Sequence, residues 1–363
     1  MNWRLKLLSG LIVGIFIAFA LGYYKYFVAP KPPGVILFIV PGLNLDNLAA
    51  THQARLNLLT DSARAAFINN DDLETNPFHA QPNAIFSYLT TGYKTHADRI
   101  GLSTDGRVQD NLLYLAQRAG RTVGLVGTSS IATPELAAFY AHTKNPGDPT
   151  DLLQQLFDNT KINVILGGGA DDFARTKEAA DRDLFHEADL YGYQIARTDD
   201  ELQNIPVWRL PTWRARRVLG VFAPRGLPFH APPADAAGHG PHPDLTDLTR
   251  RAIQFLEFNI SGYFLVIHDS LVADAIADGQ PRQVTVEIEQ LDLAIAEARE
   301  LAGKNSVIIL YSPYNVAAAG ARPADLSFGW VLIYTDNDQP LRGVATGKHL
   351  FRYLRRQLDW KQF

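Results

Sequence analysis

The sequence predicts an α/β protein: a doubly wound, mostly parallel sheet between helix layers, preceded by one N-terminal transmembrane helix. Three observations predict this. Short, β-branched apolar runs alternate with longer amphipathic patterns along residues 34–363. Those runs are almost continuously apolar, as strands are when helices cover both faces of their sheet. Residues 7–24 form a stretch of eighteen residues without a formal charge.

That stretch comes first in the chain. As a helix it would span about 27 Å, close to the hydrocarbon thickness of a bilayer. Arg4 and Lys6 precede it, which orients residues 1–6 toward the cytoplasm by the positive-inside rule. Tyr23, Tyr24, Tyr26 and Phe27 follow where an interfacial aromatic belt would lie. The rival reading is a cleaved signal peptide with Ala18-Phe19-Ala20 as its small-x-small site. Residues 25–33 read as a stiff, proline-rich linker. Under either reading, residues 34–363 are expected outside the cytoplasm.

Six strands are expected: Val35–Val40, Thr122–Val126, Asn163–Leu166, Tyr263–Ile267, Ser306–Tyr311 and Trp330–Tyr334. Two helices stand out by period. Over Asp244–Asn259, Leu245, Leu248, Ala252 and Leu256 share one face. Over Gln283–Ala302, Ile288, Leu291, Ile295 and Ala298 do so, with Gly303 as the stop. Alternation of strand and helix argues for parallel pairing. Ala223–Asp244, with six prolines, reads as a surface excursion.

Composition narrows function. There is no cysteine, so disulfides, thiolate metal sites and a cysteine nucleophile are excluded. The net charge of −4 is unlike that of a nucleic-acid binder. The charge is unevenly spread. Residues 1–33 carry four cations and no acid, and residues 341–363 carry six cations and one acid. The middle holds 24 basic against 37 acidic side chains. An acidic body with basic ends suits contact with a membrane or a large partner at the termini. The C-terminal stretch Lys348–Phe363 alternates Arg352, Arg355, Arg356 and Lys361 with apolar residues. It is expected as the closing helix of the fold, or else as a helix that docks on anionic lipid or a partner.

The order of motifs resembles the alkaline phosphatase superfamily over essentially all of residues 34–363. VILFIVPGLN (35–44) is similar to the family's first strand and turn, and Thr91-Gly-Tyr-Lys-Thr95 to its Thr-Gly-x-Lys-Thr. AAFYAH (137–142), VILGGG (164–169), Gly192-Tyr-Gln and Leu219-Gly-Val-Phe-Ala follow in the family's order, as do the stretches ending in FLVIH (264–268) and VIILYS (307–312). The resemblance implies an alkaline-phosphatase-like fold. In the family's enzymes it also implies two zinc ions and one magnesium ion that activate a serine nucleophile.

Carried onto this chain, the family's site positions lose most of their chemistry. The resemblance puts the aspartate of the first turn on Pro41 and the nucleophile on Pro82. The two magnesium ligands before AAFYAH fall on Thr133 and Glu135, and the phosphate-binding arginine on Pro146. The magnesium glutamate falls on His268. Zinc ligands fall on Ala273, Ala277, Pro313 and Tyr314, with the last zinc histidine near Asp325. Proline and alanine side chains offer no donor to a cation. No catalytic, cofactor or metal residue is therefore expected, and no cofactor. Glu135 and His268, flanking one vacated magnesium position, are expected to hydrogen-bond directly.

Three further groups carry weaker signals. Thr60-Asp61-Ser62-Ala63 spells the family's nucleophile motif twenty residues too early, and reads as an ordinary helix start. His230, His239 and His242, with Asp235 and Asp244, form a candidate metal cluster whose bland reading is an exposed loop. His268-Asp269 reads as a satisfied polar pair at a strand end.

The expected function is thus an inactive, membrane-anchored accessory subunit that contacts an integral-membrane complex and the bilayer through residues 7–24. A divergent metal-dependent phosphomonoesterase with relocated ligands is the first alternative, and a small-ligand binder using the vacated cleft is the second.

Overall fold

The structure is a computed structural model that describes residues 3–23, 31–51, 63–70, 81–159, 161–207, 216–230, 242–303, 305–319, 326–335 and 341–359. It divides into two compact units, Met1–Lys31 and Pro32–Phe363.

The first unit holds helix α1 (Trp3–Tyr23). Apart from Trp3, its described side chains run from Lys6 to Ile17 and resume at Phe19 and Ala20. Leu11, Ile12, Val13, Ile15, Phe16 and Ile17 are all exposed and, being nearly consecutive, point all round the helix, which has no single apolar face. Among the described residues no helix is long and apolar enough to cross a membrane. Residue 24 of the expected span and residues 25–30 of the expected linker lie outside the described residues.

The second unit runs in order β1 (Gly34–Ile39), α2 (Leu45–Ala50), β2 (Ala63–Asn69), α3 (Pro82–Thr91), α4 (Leu112–Arg118), β3 (Thr122–Ser130), α5 (Pro134–Ala137), α6 (Pro149–Asn159), β4 (Val164–Gly168), α7 (Ala170–Ala180), α8 (Leu184–Leu190), β5 (Gln194–Ala196), α9 (Asp199–Asn204), β6 (Val218–Val221), α10 (Leu245–Leu256), β7 (Tyr263–His268), α11 (Leu271–Ala277), α12 (Pro281–Ala302), β8 (Val307–Ser312), β9 (Phe328–Tyr334), β10 (Gly343–Thr346) and α13 (Gly347–Asp359). The described strands form one sheet in the order β10-β2-β9-β8-β1-β7-β3-β4-β6-β5. From β8 to β5 every neighbouring pair is parallel, while β9 is antiparallel to both β8 and β2.

Strand β1 shows why its sequence has no polar alternation. Val35, Leu37 and Ile39 enter one core with Ile85, Phe86, Leu136 and Leu350. Ile36, Phe38 and Val40 enter the other with Leu248, Val272, Ile288 and Leu291. Helices α3 to α7 and α13 thus cover one face, and α2, α10, α11 and α12 the other. A strand covered on both sides must be apolar at every position.

All six expected strands are present, and α10 and α12 fall within a few residues of expectation. Asp244 caps α10 by accepting the Asp247 N–H at 2.7 Å, and Gly303 ends α12 with φ 76°. One expectation is corrected. The residues after Ser62 do not start a helix. Ala63–Asn69 is strand β2, paired with β9 on one side and β10 on the other. Two flanking ladders outweigh the helix preference of an alanine-rich stretch. The proline-rich stretch begins as a surface loop, with Pro224, Arg225, Gly226 and Pro228 exposed, pinned where Ala223 and Leu227 are buried and the Leu227 N–H donates to the Thr128 carbonyl at 2.6 Å. Residues 231–241 lie outside the described residues.

The helix α13 closes the fold, as the plainer expectation held. Leu350, Leu354 and Leu358 are fully buried, while Lys348, Arg352, Arg355 and Arg356 are exposed. Residues 360–363 lie outside the described residues. The last turn of α13 is fastened by Arg121, which is 5% exposed. Its guanidinium donates to the carbonyls of Leu358 at 2.9 Å, Gln357 at 3.0 Å and Pro33 at 3.0 Å. One cation thus ties the entry of the chain into the domain to its last helix.

Arg121→Ala would strand three buried carbonyls. Thermal or urea denaturation should show a loss of at least about 4 kcal/mol, since three hydrogen bonds to a charged donor contribute roughly 1.5–3 kcal/mol each.

Candidate functional site

The parallel strands β1, β3, β4, β7 and β8 all end on one edge of the sheet, where open α/β sheets place their sites. At that edge β7 delivers His268 and Asp269, 3% and 1% exposed. Local hydrogen bonds fix Asp269. Its Oδ1 accepts from the Thr128 hydroxyl and from the Leu271 N–H, both at 3.1 Å. The Thr128 oxygen in turn accepts the Ser270 N–H at 2.8 Å, so β3 and β7 are stitched at their ends. The Ser270 hydroxyl donates to Asp274 at 2.9 Å.

A second buried carboxylate stands behind the first. Glu287 of α12 is 1% exposed. It accepts the His230 N–H at 2.9 Å and meets His230 Nδ1 at 2.6 Å. Gln283 donates to Glu287 at 2.6 Å and to the His230 carbonyl at 2.8 Å. Burial of the His230 ring opposes its charge. The bonded Glu287 carboxylate, with Asp269 and Asp244 further off, outweighs this and raises the imidazole.

Electrostatics at this edge follow from burial. Asp269 is pushed up to about 7 by burial, with Glu287 adding to the rise. Glu135 and Asp274 are both raised, each first by burial. His268 is lowered to about 4 by burial and stays neutral at pH 7.

The positions singled out from the sequence are placed as follows. Pro41 is buried in the turn after β1, where the Gly42 N–H donates to the Tyr314 carbonyl at 2.9 Å. Pro82 opens α3 after Gln81. Phe86, one turn on, lays its ring edge-on to His268 at 5.8 Å and to Tyr314 at 6.4 Å. Thr133 is the N-cap residue of α5, with no capping bond from its side chain. Pro313 follows β8, and its carbonyl accepts from Asn70 at 2.8 Å. Ala273 and Ala277 are half-buried on α11, and Pro146 is buried in the turn before α6. Ser62, Asp235, His239 and Asp325 lie outside the described residues.

Two expectations fail here. No Glu135–His268 hydrogen bond forms. His268 Nδ1 faces the Ser129 hydroxyl at 3.5 Å, and its Nε2 has no partner. Glu135 is instead held next to another acid, Asp274. Burial raises both Glu135 and Asp274, because desolvation disfavours the charged carboxylate. His268-Asp269 is accordingly not a fully satisfied pair, since His268 Nε2 is buried without a partner. Of the candidate histidine cluster, His230 serves Glu287 and Asp244 caps α10, while Asp235 and His239 lie outside the described residues. Among the described residues no group of three or more His, Asp or Glu could hold a metal ion.

Sequence reasoning missed Glu287 and Gln283. A signal existed: Glu287 lies three residues after Val284 and four before Leu291, on the apolar face of α12.

A family model described as alkaline phosphatase matches residues 84–320. The chain belongs to the alkaline phosphatase family. It is 27% identical over 309 residues to alkaline phosphatase 3 of Bacillus subtilis, covering 80% of this chain and 62% of that protein. It is 31% identical over 222 residues to alkaline phosphatase 4 of the same organism, covering 60% of this chain and 44% of that one. The chain thus spans about half the length of the curated relatives it matches. Among solved structures, alkaline phosphatase from the Antarctic bacterium TAB5 superposes with a TM-score of 0.73 at 20% identity, over 92% of this chain and all of that one. At that identity the likeness establishes the fold.

The metals implied by the family do not fit the residues present. Pro41, Ala273, Ala277 and Pro313 have no side-chain donor, and His268 Nε2 is buried without any polar neighbour in bonding range. No reaction step is derived through them.

Asp269→Asn tests the electrostatic reading, since an amide keeps the acceptor oxygen for Thr128 and Leu271. A carboxyl at about 7 in the fold and about 3.9 unfolded takes up a proton on folding between those values, so it lowers stability as pH rises through that window. The variant should be more stable than the parent at pH 8 by roughly 2–4 kcal/mol and equal to it near pH 4, read from denaturation curves at each pH.

Proposed function

We propose that this chain is a catalytically inactive, membrane-anchored member of its family, acting as a structural or accessory subunit of an integral-membrane assembly. The observation that carries the proposal is the filling of the strand ends. Where the resemblance implies metal ligands and a nucleophile, the chain has Pro41, Pro82, Ala273, Ala277 and Pro313, and Phe86 closes over His268. A retained fold with such a site suggests selection for shape and surface.

The anchor rests on the sequence run 7–24, which continues one residue beyond the described part of α1. The eighteen uncharged residues of that run are close to the length of a single bilayer span, although the described helix α1 falls short of one. Arg4 and Lys6 then favour a cytoplasmic N-terminus, with residues 34–363 periplasmic or extracellular. The partner is inferred to be a membrane complex because anchor and domain share one chain.

A specific observation favours a second reading, a divergent metal-dependent phosphomonoesterase. Asp269, Asp274, Glu135 and Glu287 bring four carboxyl groups to the same edge, with their charges coupled. Relocated ligands would have to come from this set and from residues outside the described ones.

Two measurements separate these readings. Purified full-length chain dialysed against zinc and magnesium should retain no stoichiometric metal and should not turn over p-nitrophenyl phosphate; stoichiometric zinc with metal-dependent turnover would reverse the assignment. Native membranes solubilised in mild detergent should yield the chain in an assembly larger than itself, and migration as a lone monomer would remove the accessory role.

A further inference from the structure

A cleft of about 830 Å³ lies between α4 and α13, away from the carboxylate cluster. It is lined by Arg118, Lys348, Arg352 and Arg355, with Tyr93 and Val108 at its rim. The three α13 cations stand at i, i+4 and i+7 and so project from one side of the helix. They cover about 10 Å along its axis. The other side, with Leu350, Leu354 and Leu358, is consumed by the core.

The fold does not account for these charges. Arg118 meets Asp110 at 3.4 Å and Arg355 meets Asp359 at 3.7 Å, all with side chains more than half exposed. Such long, solvated pairs contribute about 0–1 kcal/mol. Lys348 and Arg352 form no ion pair among the described residues. Lys348 also sits in the first turn of α13, which contains no acid. A cation there opposes the helix dipole. Four cations held against two acids, with one placed against the dipole, are locally unfavourable unless an anion completes the site. Val108 and Tyr93, 67% and 56% exposed, add apolar contact for an organic portion.

We propose that this cleft binds a phosphorylated organic anion carrying two or more negative charges. The spread of cations along α13 calls for an extended or multiply charged group rather than a single monoanion. The site is separate from the strand-end edge, with which it shares no lining residue. The same phosphate chemistry could come from a soluble metabolite or from a lipid headgroup, and the test distinguishes them.

Calorimetric titration of the full chain in a neutral detergent would use two probes: inorganic tripolyphosphate, and micelles of the same detergent doped with cardiolipin, whose headgroup carries two phosphates. Saturable binding of either, weakening as salt is added, supports the proposal; tripolyphosphate alone assigns a soluble ligand, and cardiolipin alone a headgroup. K348E/R352E should weaken binding by about tenfold or more, as charge reversal at an electrostatic site does. Both positions are exposed and Lys348 opposes the helix dipole, so its melting temperature should not fall below the parent value. R118E, on a different helix, should weaken binding in the same sense, and R282E, exposed on α12, should leave it unchanged. Absence of saturable binding to both probes, or equal binding by parent, K348E/R352E and R118E, overturns the site.

Discussion

The central strands are covered by helices on both faces, and much else follows from that burial. Once α10 to α12 lie on one side and α3 to α7 with α13 on the other, no position along β1, β7 or β8 can carry an unpaired polar group without a cost of several kcal/mol. Polar chemistry is pushed to the strand ends, where chain direction changes and backbone groups find new partners. His268 and Asp269 are the last residue of β7 and its successor, and Thr128 stands near the end of β3. The site is therefore where it is because the rest of the strand has no room for it.

Burial then sets the charge state of that edge. Asp269 and Glu287 both lie in the interior, and the described cation near them is His230, bonded to Glu287. Glu287 gains a partner, while Asp269 rises to about 7 and is largely neutral below that pH. His268, with no anion bonded to it, is driven to the neutral form. At this low-dielectric edge one acid is ion-paired, and burial shifts Asp269, Glu135 and Asp274 toward the neutral form.

The termini are organised by a different force. Arg121 gathers Pro33, Gln357 and Leu358 through backbone carbonyls, so the entry and the last helix are held together without side-chain specificity at either acceptor. Outside this clasp, α13 presents cations to solvent while its apolar side closes the core. One helix thus serves packing and charge at once, because its period separates the two.

Much was legible in the sequence, where local pattern carried the information. The six strands, α10 and α12 follow from apolar runs and helical spacing, and the prolines and alanines at the strand ends are facts of composition that no packing can change. Strand β2 was not legible, because an alanine-rich stretch becomes a strand only between β9 and β10, which are distant in sequence. Neither was the bond between His230 and Glu287, 57 residues apart, nor the turning of His268 toward Phe86 instead of Glu135. By itself, the sequence determined which elements form and which side chains are available to the strand ends. Tertiary structure alone decided which acids are buried, which are paired and which must hold a proton, because desolvation and ion pairing depend on neighbours that the order of residues does not place.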